Sequence, residues 1–238
     1  MCAVPDGQVI TFVGTGQAGY ADGNAAVAQF RRPQGLALDP DGTLYIADTD
    51  NHAIRKVSPH GEVSTLAGGQ GAGFEDGTLT KARFRFPTAL ALGLHHQQST
   101  LFIADTHNHT IRTLNLPYHQ KTGRLSTRSA QVNTLAGNGE SGFVDARGIH
   151  SRWRAPQGLC LMEDVLYVAD TDNHRLRTVA LANGSVTTRV GTGVAGFQDG
   201  NAAVGQFHQP MGLACDTKNR RILVSDRSNH RIREVRLP

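Results

Sequence analysis

Four histidines occupy one recurring position in this chain: His52, His109, His174 and His230. Each follows an asparagine (Asn51, Asn108, Asn173, Asn229). Each lies four residues after an aspartate (Asp48, Asp105, Asp170, Asp226) and three before an arginine (Arg55, Arg112, Arg177, Arg233). A carboxylate, an imidazole and a guanidinium in one stretch could form an acid–base site, and four imidazoles could ring a metal. The spacing argues against both. Each set belongs to a different repeat unit, so symmetry spreads the imidazoles, whereas a metal needs ligands about 2 Å from one point. The sets read instead as structural. Asn takes the left-handed turn position, His hydrogen-bonds within its own unit, toward the Asp, and Arg pairs with that Asp.

Two further sets recur. Asp22, Asp76, Asp145 and Asp199 follow an aromatic residue by two positions and precede a short helical turn that Asp or Asn would cap. One carboxylate per unit does not make a calcium cage. Arg31, Arg85, Arg154 and His208 each follow an aromatic anchor (Phe30, Phe84, Trp153, Phe207) and come just before an apolar run. Cationic groups at that place would focus positive potential on a common axis, which makes them the candidate binding residues, for an anion or an acidic partner. The competing reading pairs each with the nearby Asp of the Asp-Gly turn.

The elements that must position these residues follow from the repeat. Pro33, Pro87, Pro156 and Pro210 set intervals of 54, 69 and 54 residues. The 15 extra residues of the second unit fall in the turn Leu94 to Thr100 and in a polar loop from about Pro117 to Ala130, where insertions are tolerated. Each unit offers four short strands, in the first unit Gly35–Asp39, Thr43–Asp48, Ala53–Ser58 and Val63–Ala67, rich in β-branched or apolar residues and bounded by turn residues. Four short strands per repeat predict a β-propeller blade. The two aromatic sets (Tyr20, Phe74, Phe143, Phe197 and Phe30, Phe84, Trp153, Phe207) would wedge between blades. The chain opens on a strand of the outermost type, Val9–Val13, and its last unit lacks one. The expectation is therefore an all-β, closed four-bladed β-propeller of four-stranded antiparallel blades, with the N-terminal strand completing the last blade; the alternative is four blades of a larger ring. Residues 1–238 form one domain, with units of about 14–67, 68–136, 137–190 and 191–238 plus strand 9–13.

Asn51-His52-Ala53-Ile54 and its three counterparts, with the LYIADT-type strand before them and the Arg-bearing strand after, resemble the NHL repeat. The resemblance covers Val9 to Leu237. It implies a propeller. For function it implies a protein-binding module, an RNA-binding module or, in a few members, an enzyme with a metal in the channel.

Composition narrows these. Net charge is +4, and arginine supplies most of the 24 basic residues, with lysine only at Lys56, Lys81, Lys121 and Lys218. Setting aside the four paired arginines leaves little excess for nucleic acid, although Arg152, Arg154, Arg220 and Arg221 keep an RNA-binding alternative open. The innermost strands are apolar and offer no repeated metal ligands, and no hydrolase elbow, phosphate loop or zinc motif occurs. The sequence thus points to a non-enzymatic scaffold that recognises a protein, a peptide or a small anion at one face, with no cofactor and no metal. A metal-dependent hydrolase or lyase is the alternative. Cys160 and Cys215 read as separate buried thiols in strands, and Cys2 as unpaired. No stretch has transmembrane length and no leader is recognisable, so the cytoplasm is favoured and no membrane partner is expected.

Overall fold

The computed structural model describes residues 7–116 and 129–237. Four blades of antiparallel strands form an all-β, four-bladed propeller. Blade 1 holds β1 (Pro33–Leu38), β2 (Leu44–Asp48), β3 (Ala53–Val57) and β4 (Val63–Gly68). A two-residue strand β5 (Gly77–Thr78) precedes blade 2, which holds β6 (Pro87–His95), β7 (Gln98–Asp105), β8 (Thr110–Asn115) and β9 (Gln131–Ala136). Blade 3 holds β10 (Pro156–Met162), β11 (Val165–Asp170), β12 (Arg175–Ala180) and β13 (Ser185–Val190). Blade 4 holds β14 (Pro210–Asp216), β15 (Arg221–Asp226) and β16 (Arg231–Arg236). Each blade runs in sequence order, and β5 adds to the outer edge of β9. The first insertion of unit two forms no loop. It prolongs the β6–β7 hairpin to a turn at His96 and Gln97, both at positive φ. Residues 117–128 of the second insertion lie outside the described residues.

The core sits between blades. Strand side chains alternate, so a middle strand serves two seams. Leu101 and Ile103 of β7 pack with Tyr45, Ala47 and Ile54 of blade 1, while Phe102 and Ala104 pack with Leu166 and Val168 of blade 3. Tyr167 and Leu176 of blade 3 then meet Ile222 and Val224 of blade 4. Phe84, Trp153 and Phe207 are buried in these clusters, as the wedge reading expects. Tyr20, Phe74, Phe143 and Phe197 are instead partly exposed, each lying over the guanidinium of its own unit's repeat arginine. Cys160 of β10 and Cys215 of β14 are joined as a disulfide, which corrects their reading as separate thiols and ties blade 3 to blade 4. Among the described residues no helix is long and apolar enough to cross a membrane.

The N-terminal strand does not complete the last blade. The sheet of blade 4 has three strands, and residues 9–13 form none. The cause is local tethering. Gly14 N–H donates to Ala25 O at 3.0 Å, Gly23 and Val63 exchange two backbone bonds, and Val13 packs on the cluster of Ala28, Ile46, Val57 and Val63. These contacts hold the segment on blade 1. The seam between blade 4 and blade 1 is correspondingly open. β15 alternates between half-buried and buried residues where β7 is continuously buried from Thr100. On the two facing surfaces Leu38 is 67% and Ile232 is 72% exposed.

Candidate binding face

Each repeat aspartate organises one corner of its blade. Asp105 Oδ2 accepts from Asn108 Nδ2 at 2.8 Å and from Arg112 Nη1 at 2.7 Å, and its Oδ1 accepts the backbone N–H of Arg85 at 2.7 Å. Asp48 does the same with Asn51, Arg55 and the Arg31 N–H. Asp170 does so with Asn173, Arg177 and the Arg154 N–H. Asp226 holds Asn229, Arg233 and the His208 N–H. The buried arginine reaches further, to the aspartate two residues after the exposed aromatic: Arg55 to Asp22 at 2.6 Å, Arg177 to Asp145 at 2.7 Å and Arg233 to Asp199 at 2.6 Å, with Arg112 and Asp76 in the same relation. Those aspartates therefore bridge to the third strand, and in blades 1 to 3 also take the N–H of an outer-strand threonine (Thr65, Thr134, Thr188). Asn24, not Asp22, caps the short turn that follows, through Ala26 N–H.

The histidines have a different task from the one read in the sequence. His52, His109, His174 and His230, and not the asparagines before them, adopt the left-handed conformation, with φ of 53 to 55°. The imidazoles of His52, His109 and His174 then point across a seam. His52 Nδ1 accepts the N–H of Phe86 at 3.2 Å, His109 that of Ala155 at 3.1 Å and His174 that of Gln209 at 3.1 Å. The threonine after each repeat aspartate completes the seam: Thr49, Thr106 and Thr171 donate to the carbonyls of Pro87, Pro156 and Pro210. Blade 4 has Arg227 at that position, and no described N–H reaches His230 Nδ1.

Burial holds His52, His107, His109 and His174 below the ordinary imidazole range, and the nearby cations add to it, Arg85 at the first three and Arg154 at His109 and His174. A histidine whose folded value is depressed favours the folded state while neutral, and that contribution is lost as pH falls below the unfolded value of 6.5. Asn at position 109 retains an acceptor and tolerates left-handed φ without titrating. His109→Asn is therefore expected to match wild type in urea unfolding at pH 7.5 and to gain on it at pH 5. An unchanged difference between the two pH values would contradict the seam assignment.

This hardware displays a second layer of residues. Arg31, Arg85 and Arg154 are exposed, and among the described residues their guanidiniums make no ion pair. His208 is half-buried, its ring 5.5 Å from that of His174. The carboxylates of Asp22, Asp76, Asp145 and Asp199, the competing partners for these arginines, are taken by Arg55, Arg112, Arg177 and Arg233. The axial recess on this face is lined one residue further along. It measures about 450 Å³ and presents Arg32, Asp50, Phe86, His107 and Arg227 above Gln34, Thr88, Gln157 and Met211. Arg31, Arg85, Arg154 and His208 do not line it.

Arg32 and Arg227 were missed in the sequence, yet a signal exists. Positions 32, 86, 155 and 209 hold four different residue types while their neighbours repeat, and Arg227 breaks a run of threonines. Among the described residues, no three His, Cys, Asp or Glu side chains come together as metal ligands.

Known proteins place this architecture. The family model of the NHL repeat matches residues 30–57. The human NHL repeat-containing protein 2 is 29% identical over 250 aligned positions, covering 97% of this chain and 34% of that protein. The Arabidopsis thaliana protein SUPPRESSOR OF QUENCHING 1, chloroplastic, is 27% identical, covering 96% of this chain and 27% of that one. The chain thus spans about a third of the length of these relatives. Among solved structures, an auxiliary nutrient binding protein of Bacteroides ovatus superposes with a TM-score of 0.68 at 21% identity, over 87% of this chain and 49% of that one.

Proposed function

Because this chain is a β-propeller of the NHL-repeat family, we propose that it is a non-catalytic binding module whose ligand is an acidic stretch of a protein or peptide. The ligand lies on the face that carries Arg31, Arg85, Arg154 and His208, with Arg32 and Arg227 at the recess in its centre. One observation carries this reading. Four arginines per molecule are consumed in ion pairs inside the blades, while three others have their backbone fixed by the same buried aspartates and their side chains free in solvent. Pre-positioned guanidiniums of one sign suit carboxylates and phosphates, and little ordering is needed on binding. The disulfide supports placing the module in an oxidising compartment, against the cytoplasmic reading of the sequence.

The test is fluorescence anisotropy with a labelled twelve-residue Glu/Asp-rich peptide and its Gln/Asn counterpart. Arg31→Ala, Arg85→Ala and Arg154→Ala together are expected to weaken binding of the acidic peptide by roughly tenfold to a hundredfold, since exposed pairs contribute at most about 1 kcal/mol each. Wild-type affinity should fall as salt rises. Equal affinity of the triple variant and wild type would overturn the proposal.

A further inference from the structure

We infer that the axial recess takes one tyrosine side chain of the acidic ligand, its ring laid on Phe86 between Arg32 and His107. The inference rests on the acidic-ligand reading of the arginine face and names the residue that anchors the acidic segment there. Most of the recess lining comes from blades 1 and 2. The position just before each blade's proline holds Arg32, Phe86, Ala155 and Gln209. Two residues after each repeat aspartate stand Asp50, His107, Asp172 and Ser228.

In blades 1, 3 and 4 the polar members of these sets are occupied. Arg32 pairs with Asp50 at 3.6 Å, Gln209 Nε2 donates to Asp172 at 3.3 Å, and Ser228 Oγ donates to Gln209 Oε1 at 2.8 Å. Blade 2 is the exception. The rings of Phe86 and His107 lie with centroids 4.8 Å apart, and the ring of His52 stands almost perpendicular to Phe86 at 4.5 Å. An aromatic patch therefore sits within a charged face.

The fold has no need of that ring. Phe86 has a φ of 52° and precedes Pro87, a conformation that a bulky side chain and a following proline both disfavour. The bonds of its N–H to His52 and of Thr49 to the Pro87 carbonyl hold it there. Arg32, Ala155 and Gln209 share the conformation, with φ of 48 to 53°, so the repeat asks for the backbone and not for the ring. The ring is half-buried and joins none of the interblade clusters. A partly exposed aromatic on strained backbone, unused by the core, belongs to recognition.

The recess selects the occupant. At about 450 Å³ it holds a whole side chain, far more than one carboxylate needs. Phe86 and Met211 give it apolar surface, while Gln34, Thr88 and Gln157 make its floor polar. A ring on Phe86 directs its far end at the two floor amides. A phenol hydroxyl is donor and acceptor at once and satisfies an amide in either orientation, whereas a leucine would desolvate the amides and give them no partner. Arg32 stacks over the incoming ring, as Arg55 already lies over Tyr20 and Phe30 at 4.8 and 5.1 Å. Burial and Arg85 hold His107 below the ordinary imidazole range, so its ring meets the ligand uncharged at pH 7.5. The carboxylates that flank the tyrosine fall to Arg31, Arg85 and Arg154.

The test is anisotropy at pH 7.5 and constant salt, with the labelled acidic peptide remade to carry Tyr, Leu or Ala as its central residue. Wild type is expected to bind the tyrosine peptide about tenfold more tightly than the alanine peptide, with leucine close to alanine. Phe86→Asn tolerates left-handed φ and keeps the N–H that His52 accepts, and it is expected to abolish the preference. Phe86→Tyr, which keeps a ring, is expected to retain it. Wild-type affinity for tyrosine no greater than for alanine or leucine would overturn the inference and leave the arginine face intact. So would a Phe86→Asn variant that weakens all three peptides by the same factor. If none of the acidic peptides binds wild type, the acidic-ligand reading falls and this inference falls with it.

Discussion

Arg112→Met is expected to destabilise the protein by about 3–5 kcal/mol in urea unfolding at pH 7.5, as removal of one partner of a buried ion pair does. Arg112 is fully buried, and so is Asp105, its partner at 2.7 Å. The guanidinium also donates to the carbonyls of Arg83 and Glu75 and to Asp76. Methionine supplies volume but no donor, so two carboxylates and two carbonyls lose their partner together. Burial already pushes the Asp105 carboxyl up to about 6, against the pull of Arg112. Without that pull it rises further, so the folded variant retains a proton that the unfolded chain releases. The cost of the substitution must then grow as pH rises from 5 to 7.5. Arg233→Met is expected to cost less, because Asp199 is largely solvated and blade 4 lacks the outer strand. An Arg112→Met variant within about 1 kcal/mol of wild type would remove the ion-pair hardware from the account.

Gly158→Ala is expected to cost about 3 kcal/mol, near the upper end of overpacking in a core. Gly158 lies in β10 where the innermost strands of blades 3 and 4 approach. A methyl group there would fall on the Met211 carbonyl and lie 3.2 Å from Ala169 Cβ. Backbone cannot rotate away as a side chain does, and the Cys160–Cys215 disulfide holds the two strands together nearby. Gly212, at the equivalent position of β14, faces the open seam. A methyl group there meets only Ser225 of its own blade, with Oγ at 3.1 Å. Gly212→Ala is therefore expected within about 0.5 kcal/mol of wild type in thermal unfolding of the dilute chain. Equal losses at both positions would mean that all four seams are packed alike.

The blade count and strand order were legible because every signal for them occurs four times: a proline, an apolar run, an Asn-His corner, an Arg-bearing strand. The pairing of Arg112 with Asp105 follows from antiparallel strands joined by a tight corner, a local relation that seven residues of sequence contain. Relations across seams were not legible. Nothing local tells that His109 bonds the backbone of residue 155, because that contact depends on how two blades lean together. The disulfide was hidden for the same reason. Cys160 and Cys215 sit one residue apart in repeat register, and only the offset between neighbouring innermost strands brings them together. The N-terminal strand was misplaced because its sequence reports the type of edge it fits but not the distance to that edge. On the proposed binding face, Arg31, Arg85 and Arg154 could be named from their recurrence. Arg32 and Arg227 lie at positions where recurrence fails, and a site shaped for one ligand would depart from fourfold symmetry at such positions.

The measurement that bears most directly on the proposed function is amide hydrogen exchange with and without the acidic peptide. Protection is expected at residues 31–34, 85–88 and 154–157 and at the corners 50–52 and 107–109, all on the arginine face. The hairpin turns at 39–43, 163–164 and 217–220, on the opposite face, are expected to exchange unchanged. Protection confined to those opposite turns, with none at the arginine face, would contradict the account.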